Sequence, residues 1–412
     1  MHDFAQTKGF DLGNDPEPLM GISSLMRTSP PKLPELLRSA AADPDEAQMF
    51  MRLSMTSLAL GQREFGLQLQ AKALAKRQVY RFGRAFGGAG IRLLAVMKPG
   101  DMQDNTPVDF LLEDSDVVLY VLYAAPGLPL PEALPDHDLV FVAAGESVER
   151  PDGLKHIARL LESWQRPVLN APERIARLSR DHASRLLTPL PGGLMPPTVR
   201  LDRQALESLA RDGPMLEVLR LPLLVRPVDS HAGEGLARVE APAALADYLL
   251  TTPGVRFYVT NFIDYAGADG LYRKARVALI AGQPIVCHLA IADRWMVHYR
   301  SAGMAESPDK RAEEARFMEE FQEDFGKRHE AAFRAIAART GLDYLVIDCG
   351  ETRDGRLLVF ELDNRGYVHA MDPPDLFPYK GPQMHKVFAA FRKMLADAII
   401  AGAKTTTMPV CP

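Results

Sequence analysis

The chain has 412 residues, of which 47% are hydrophobic and 25% are charged, and its formal net charge at pH 7 is −5. A chain of this length can bury a large core and form two or three packed subdomains. The acidic balance leaves no basic footprint, so nucleic acid is not an expected partner. No apolar run is long enough to span a membrane, and the first residues lack the basic and apolar regions of a signal peptide. We therefore expect a globular cytoplasmic protein with no membrane partner.

The N-terminal part of the chain is predicted to contain an arm and a pair of helices. Residues 1–42 are rich in Pro, Ser and Gly, which predicts an irregular arm. Asp43-Pro44 then offers a helix cap and a proline at the first helical position, and apolar residues recur at helical spacing on both sides of a glycine. Residues 43–86 are therefore predicted to form a helical hairpin, which resembles a single tetratricopeptide unit. One unit cannot bury its own apolar face, so residues 43–82 should pack on the next domain, on a partner protein or on a second copy of this chain.

The next segment, residues 87–169, has the pattern of a small α/β domain. Apolar runs typical of buried strands occupy residues 91–97, 117–123 and 139–143. An amphipathic helix is predicted at residues 151–165. Strands that alternate with helices or loops favour a small parallel sheet.

A first candidate phosphate site follows at residues 221–235. A predicted strand ends in a cation, and the loop after it is made of small residues; the candidates are Arg226, Ser230, His231, Gly233 and Gly235. A polyphosphate needs a positive charge and a backbone that can approach it closely. Arginine is always charged and binds phosphate as a fork. The alternative interpretation of the loop is an ordinary tight turn.

Two further predicted strands, at residues 255–263 and 271–280, bring more positive charge. Side-chain alternation places Lys274 and Arg276 on one face of the second of these strands. That face is expected to point towards the phosphates, and a solvated strand surface is the alternative.

Carboxylates lie at the ends of a predicted β-hairpin. Its strands, at residues 344–347 and 357–360, are joined by a short polar turn containing glycine. Asp348 closes the first strand, while Glu361 and Asp363 leave the second on one face. Hard oxygen ligands suit Mg²⁺, which takes one or two carboxylates and leaves its other positions to water and phosphates. The alternative is that these acids are solvated strand ends.

The acidic end of this hairpin carries a resemblance to a known family. Asp348, then twelve residues, then Glu361-x-Asp363-Asn364 resembles the metal-binding end of ATP-grasp enzymes, whose usual ending is Glu-x-Asn. Here aspartate stands where asparagine is expected, so the implied Mg²⁺ ligands are Asp348, Glu361 and either Asp363 or Asn364. The order of cation strand, glycine loop, basic strand and acidic hairpin is similar to the family core over residues 170–372.

The resemblance implies a fold and a set of binding roles. The expected fold class is α/β (α+β), with an ATP-grasp domain at residues 170–403, a preceding small α/β domain, the helical hairpin and a tail at 404–412. The expected cofactors are ATP and Mg²⁺. By similarity to the family, adenine would lie at a hinge, an acid would bind the ribose, Lys274 would contact the nucleotide, and two arginines would stabilise the transferred phosphoryl group. The residues at the other matching positions are Asn261, Phe262 and Ile263 for the hinge, Asp264 or Asp269 for the ribose, and Arg226 and Arg276 for the phosphoryl group.

The activity implied by the resemblance is that of a carboxylate–amine ligase. A small-molecule or peptide carboxylate would be activated as an acylphosphate and then captured by an amine. Two other functions stay open at this point. A small-molecule kinase would use the same nucleotide site with a hydroxyl acceptor, and a regulatory module would bind ATP without turnover.

Overall fold

A computed structural model describes residues 18–28, 32–83, 90–212, 218–230 and 233–407 of the chain. The helices in these ranges are α1 (Ile22–Arg27), α2 (Leu33–Ala41), α3 (Glu46–Ala59), α4 (Arg63–Lys76), α5 (Val108–Leu111), α6 (Asp152–Leu161), α7 (Pro172–Ile175), α8 (Arg180–Leu186), α9 (Arg203–Asp212), α10 (Pro242–Thr251), α11 (Pro308–Glu320), α12 (Phe325–Arg328), α13 (Glu330–Thr340) and α14 (Lys380–Thr407). None of these helices combines the length and the apolar character needed to cross a membrane.

The strands in the same ranges are β1 (Val79–Phe82), β2 (Arg92–Met97), β3 (Val118–Tyr123), β4 (Leu139–Val142), β5 (Val168–Leu169), β6 (Gly193–Leu194), β7 (Thr198–Asp202), β8 (Leu223–Pro227), β9 (Ala237–Val239), β10 (Arg256–Asn261), β11 (Tyr272–Ile280), β12 (Gln283–Ala292), β13 (Tyr344–Glu351) and β14 (Leu357–Asp363). Within the described ranges they form three sheets. The mixed α/β class predicted from the sequence is confirmed.

The segment before the helical hairpin is itself helical in its described part, which corrects the prediction of an irregular arm at residues 1–42. Both α1 and α2 lie there, and Leu25 of α1 is buried. Helix α2 carries Pro34 in its first turn, where the missing N–H costs no hydrogen bond. Pro34, part of the composition that indicated an irregular arm, therefore marks a helix start.

Helices α3 and α4 form the predicted helical pair. The Asp45 carboxylate caps α3 by accepting a hydrogen bond from the Gln48 N–H at 3.0 Å. Arg77, after α4, donates to Asp45 at 2.7 Å and so ties the two helices together at that end. Apolar side chains of the pair, including Met51 and Leu74, pack in one core with the small sheet. The face that was expected to need a partner is covered within the chain, and the likeness to a tetratricopeptide unit stays a prediction.

The small sheet has the strand order β1-β3-β2-β4-β5, with β2 to β5 parallel as predicted. The helical pair and α14 cover one face of this sheet and α6 covers the other, which explains why its strands are continuous apolar runs. Strand β1 pairs antiparallel with β3 and was not predicted. It has only four residues and includes Arg81, so its sequence carries no buried-strand signal.

The remaining strands form a lobe and a large sheet. The lobe sheet, β7-β10-β8-β9, encloses its own core with α9 and α10, including Leu206, Leu245 and Phe257. The large sheet has the order β12-β11-β13-β14-β6, and its hairpin β13–β14 is the predicted acidic hairpin. The two sheets face a common cavity, which holds the candidate site.

Three helices, α11, α12 and α13, pack behind the large sheet. A break follows α11, where the Gly326 N–H donates to the Phe321 carbonyl at 2.6 Å, outside the α-helical register. Phe321 packs against Phe325 and Phe333. Helix α14 reaches Thr407, so residues 404–407 of the predicted tail are helical, and residues 408–412 lie outside the described residues.

Candidate functional site

A cavity of about 1060 Å³ lies between the lobe sheet and the large sheet. One end is apolar and is lined by Leu224, Leu236, Ile263, Leu358 and Phe360. Small-molecule sites usually have volumes of roughly 300–1,000 Å³, so this cavity has room for a nucleotide and a second ligand. We call this apolar part of the lining the apolar slot, and its side chains suit an aromatic base.

The rest of the cavity is strongly positive. Among its described lining residues, eight cationic side chains face four carboxylates; these are Arg180, Arg226, Lys274, Arg276, Arg294, Arg300, Arg365 and Lys380, against Asp348, Glu361, Asp363 and Asp372. The excess of four positive charges contrasts with the net charge of −5 for the whole chain. A concave surface with such an excess attracts and concentrates anions.

Asp348 is held by two cations of the neighbouring strand. It lies opposite Arg276 in the β11–β13 register. The Arg276 side chain donates to its carboxylate at 2.8 and 3.0 Å, and the Lys274 ammonium donates at 3.2 Å. Burial alone would favour the neutral acid, but Arg276 and Lys274 hold the pKa of Asp348 well below its usual range. Lys274 and Arg276 thus lie on one face of β11, and a contact of this face with phosphate stays a prediction.

Glu361 lies directly opposite Asp348 in the hairpin register. Its carboxylate is 2.5 Å from the Arg180 guanidinium. Burial opposes ionisation, yet the charges of Arg180 and Arg226 lower the pKa of Glu361. Arg180 lies at the start of α8. The structure brings it into the cavity.

Asp363 and Asn364, the two alternatives for the third ligand position, point to different places. Asp363 lines the cavity and accepts a hydrogen bond from Arg365 at 3.0 Å. Asn364 is fully buried, and its amide donates to the Ala144 carbonyl at 3.1 Å, at the end of β4. Asn364 is absent from the cavity lining, and its Oδ1 has no hydrogen-bond partner among the described residues, so its role as a metal ligand stays a prediction. Consecutive strand residues point to opposite faces, which leaves Asp363 on the face of Glu361.

The three hairpin carboxylates that line the cavity, Asp348, Glu361 and Asp363, fit one kind of metal site. Within the described residues, no group of three or more His, Cys, Asp or Glu side chains is arranged to hold a metal ion. The described residues therefore do not form a metal site made of protein ligands alone. Asp348 and Glu361, opposite one another, fit an Mg²⁺ ion that takes one or two carboxylates and completes its shell with phosphate oxygens and water.

Arg226 is buried at the end of β8 and is braced by the loop that follows. Its Nε donates to the Ser230 hydroxyl at 3.1 Å, and it also donates to the Ser230 carbonyl. Burial, reinforced by the Arg180 charge, lowers the pKa of Arg226 to about 10, so the side chain stays charged at neutral pH. Ser230 does not line the cavity, and its role is to hold Arg226.

The two predicted glycines shape this loop differently. Gly235 has φ +63°, and a Cβ there would lie 2.7 Å from Pro227 Cδ, so the position requires glycine. It is absent from the cavity lining, whereas Gly233 lines it. His231 lies outside the described residues. Of the predicted loop residues, Arg226 and Gly233 are thus brought to the cavity.

The predicted hinge residues Asn261, Phe262 and Ile263 all line the cavity. The Asn261 side chain is used structurally, because it accepts from the Arg220 N–H at 2.8 Å and donates to the Val218 carbonyl at 2.9 Å. The Arg238 guanidinium lies over the Phe262 ring, with its Cζ 3.9 Å from the centre of the ring. These contacts fix the connection between the lobe and the large sheet.

Asp269, predicted to bind the ribose, lies elsewhere. It forms an ion pair with Arg273 at 2.7 Å and accepts from the Leu271 N–H at 3.0 Å, and it is absent from the cavity lining. The Asp269 side chain caps a surface turn, and its contact with the ribose stays a prediction. The alternative, Asp264, is also absent from the lining and pairs with Arg353 at 2.9 Å.

A buried network at the far end of the cavity was missed in the sequence. Fully buried Glu314 accepts hydrogen bonds from the Leu289 N–H at 3.0 Å and from the hydroxyls of Tyr299 and Tyr379 at 2.9 and 2.7 Å. Lys380, at the start of α14, donates to Tyr299 as well. Glu314 lies in a charged helix, where nothing in its sequence marks it as buried.

No family model and no curated protein matches this chain. Solved structures with a similar fold include a RimK domain protein ATP-grasp from Sphaerobacter thermophilus, which is 18% identical over 75% of this chain and 99% of its own, with a TM-score of 0.42. The D-alanine-D-alanine ligase from Coxiella burnetii is 14% identical over 76% of this chain and 97% of its own, with a TM-score of 0.45. The VanG D-Ala:D-Ser ligase from Enterococcus faecalis is 14% identical over 73% of this chain and 99% of its own, with a TM-score of 0.43. At these values the function has to be inferred from the cavity itself.

Proposed function

We propose that the chain is an ATP-dependent carboxylate–amine ligase of the ATP-grasp type, with Mg-ATP bound between the lobe and the large sheet. The observation that carries this proposal is the cavity lining, in which eight cations outnumber four carboxylates next to an apolar slot. A nucleoside triphosphate has the matching shape, with an aromatic base at one end and a polyanion at the other. A cytoplasmic location remains part of this proposal.

The lining suggests how the nucleotide would lie. The base would occupy the apolar slot beside Phe262 and Ile263, at the hinge. The phosphates would extend towards Arg226 and Lys274, where charge-assisted hydrogen bonds are available. Arg226 is buried and held by Ser230, so its side chain would lose little conformational entropy when it binds phosphate.

Asp348 and Glu361, with Asp363 beside them, are the residues that would hold Mg²⁺. When bound between these carboxylates and the phosphates, the ion would neutralise developing charge and help to orient the phosphates. The cations that now pair with the two acids would shift their bonds to phosphate oxygens, since both Arg276 and Arg180 also line the cavity.

The reaction we propose has two steps. A substrate carboxylate oxygen attacks the γ-phosphorus of ATP, ADP leaves and an acylphosphate forms. The amine nitrogen then attacks the acyl carbon, a C–N bond forms, phosphate leaves and a proton is released. Arg276 and Arg226 would stabilise the transferring phosphoryl group, because catalysis of this transfer depends on positioning and electrostatics.

A second candidate is an ATP-binding regulatory module without turnover. The observation that favours it is the complete pairing of the cavity acids, since Asp348, Glu361 and Asp363 each hold at least one cation. If these pairs persist with nucleotide bound, no metal would reach the carboxylates.

Hydroxylamine trapping distinguishes these functions. The protein is incubated with Mg-ATP, a pool of amino acids and small acids, and hydroxylamine as a substitute amine. The ligase should release ADP and phosphate and form an acyl hydroxamate in equal amounts. ADP without hydroxamate would favour a kinase, AMP with pyrophosphate would overturn the acylphosphate step, and saturable ATP binding without any product would favour the regulatory module.

A further inference from the structure

The cavity has a second cationic end, built from segments other than the strands that carry Arg226, Lys274 and Arg276. It is formed by the segment after β12, by the loop at residues 366–372 and by the start of α14. Its polar lining consists of Arg294, His298, Arg300, His369, Asp372 and Lys380. Among these described residues, three permanent cations face one carboxylate, so this end is positive in its own right.

Lys380 is held in one position at this end of the cavity by several partners. Its ammonium donates to Asp372 at 3.1 Å, lies 3.9 Å from the centre of the Tyr299 ring and is 3.4 Å from Glu314. Glu314 is fully buried. Because two acids and a hydroxyl already satisfy Lys380, its contribution is to hold the surrounding walls in place.

Among the described residues, three cations of the cavity hold no carboxylate: Arg226, which Ser230 holds, Arg294, which donates to the Ser301 carbonyl at 3.3 Å, and Arg300. Arg276, Arg180 and Arg365 each hold a carboxylate. Arg300 forms no ion pair with any described residue, although it is exposed on the cavity wall. A free guanidinium can bind a carboxylate or a phosphate with two parallel hydrogen bonds.

His298 adds a neutral hydrogen-bond donor beside this arginine. Burial, together with the charges of Lys274 and Arg300, lowers the pKa of His298. The ring is therefore neutral at pH 7 and offers one N–H. A permanent cation and a neutral donor on one wall match an anionic group of a bound molecule.

We propose that a substrate of this enzyme carries an anionic group, a carboxylate or a phosphate, that does not react, and that Arg300 and His298 bind this group. The inference rests on the proposed function, because the reacting end of the substrate must lie beside Arg276 and the nucleotide. The anionic group can belong to the acid or to the amine, and its chemistry is the same in both cases.

The test captures the substrate from a small-metabolite extract. The protein is saturated with Mg²⁺ and a non-hydrolysable ATP analogue, mixed with the extract and washed, and retained compounds are identified by mass spectrometry. The variants are Arg300→Ala, Arg300→Lys and the control Arg316→Ala, which removes an arginine from the exposed side of α11. Retained compounds are then offered to the wild-type protein with Mg-ATP and hydroxylamine, so that acids, which form hydroxamates, are separated from amines.

The expected result is that retained compounds carry a non-reacting anionic group. Their retention should fall about tenfold or more in Arg300→Ala, the loss expected for one charge-assisted contact, recover in part in Arg300→Lys and stay unchanged in Arg316→Ala. Retained compounds without such a group, equal retention in Arg300→Ala, or no retained compound on nucleotide-saturated protein would each overturn the proposal. Failure of the ATP analogue itself to bind is a separate readout, which would refute the proposed function and the premise of this inference.

Discussion

The two ends of the β13–β14 hairpin both carry ion-paired carboxylates, yet their surroundings differ. At the turn end, Glu351 accepts hydrogen bonds from Arg328 at 2.6 Å and from His329 at 3.3 Å, and Arg328 also holds Asp324 at 2.8 Å. The charged groups of this cluster form their ion pairs and hydrogen bonds with one another. At the other end, Asp348 and Glu361 face a cavity in which cations remain in excess.

The difference shows that ion pairing by itself does not identify a functional acid. Both ends have carboxylates whose pKa is lowered by neighbouring cations. The cavity end is distinguished by the space in front of the acids and by positive charge that the protein leaves uncompensated. Those two properties are what an incoming polyanion and its metal ion require.

The largest expected effect separates these two ends directly. Glu361→Gln removes a charge that the proposed metal site needs, so Mg-ATP turnover should fall by about 10²–10³-fold, as for loss of one electrostatic contact in a transition state. Circular dichroism should show an unchanged fold. The matched control is Glu351→Gln, which should keep turnover. Equal losses in the two variants would mean that both acids act through stability.

A smaller effect is expected from Arg226→Ala. Losing a charged hydrogen-bond donor should weaken ATP binding by about 10- to 100-fold, measured by titration calorimetry. Arg226→Lys should recover part of the affinity, because the charge is kept and the fork is lost. Arg211→Ala, an exposed position on α9 of the same lobe, is the control. Unchanged affinity in Arg226→Ala would remove this residue from the phosphate site.

The turn end should contribute to the acid sensitivity of folding, and its contribution can be followed at Glu351. The hydrogen bond from His329, acting against burial and together with Arg328, lowers the pKa of Glu351 from 4.5 to about 2. Because the folded pKa is depressed, this stabilisation is present above pH 4.5 and is lost as the pH falls through about 2. After allowance for solvent screening it amounts to ~1 kcal/mol.

Thermal unfolding checks this pH dependence. The midpoint difference between wild type and Glu351→Gln should be largest at pH 6–7 and should shrink towards pH 2, where the wild-type carboxylate gains its proton. A difference that stays constant over this range would show that ionisation of Glu351 does not contribute.

The smallest effect is expected at Asp269. The Asp269→Asn variant loses an exposed ion pair with Arg273, which should change stability by no more than ~0.5 kcal/mol. ATP affinity should equal that of the wild type, because Asp269 is absent from the cavity lining. A clear loss of ATP affinity would restore this residue to the ribose site and contradict its placement.

Features set by local periodicity were predictable from the sequence. The acidic hairpin and the shared face of Lys274 and Arg276 follow from alternation along strands and from a glycine-containing turn. The apolar strands of the small sheet were visible for the same reason. These signals need no knowledge of distant parts of the chain.

Side-chain partners from distant segments were not predictable. Asn364 follows Asp363 directly, but its direction is fixed by Thr106 and Ala144, more than 200 residues away. The buried position of Glu314 depends on β12 and α14 folding against its helix. Such contacts are a property of the tertiary structure, and no spacing rule in one sequence encodes them.

Binding of a non-hydrolysable ATP analogue with and without Mg²⁺, in wild type and Glu361→Gln, tests the central claim most directly. We predict that the wild type binds the analogue more tightly with Mg²⁺ than without it, and that this gain is lost in Glu361→Gln while metal-free binding persists. An affinity that is the same with and without Mg²⁺ in the wild type, or a gain that survives in the variant, would contradict a metal site at the cavity end of the hairpin.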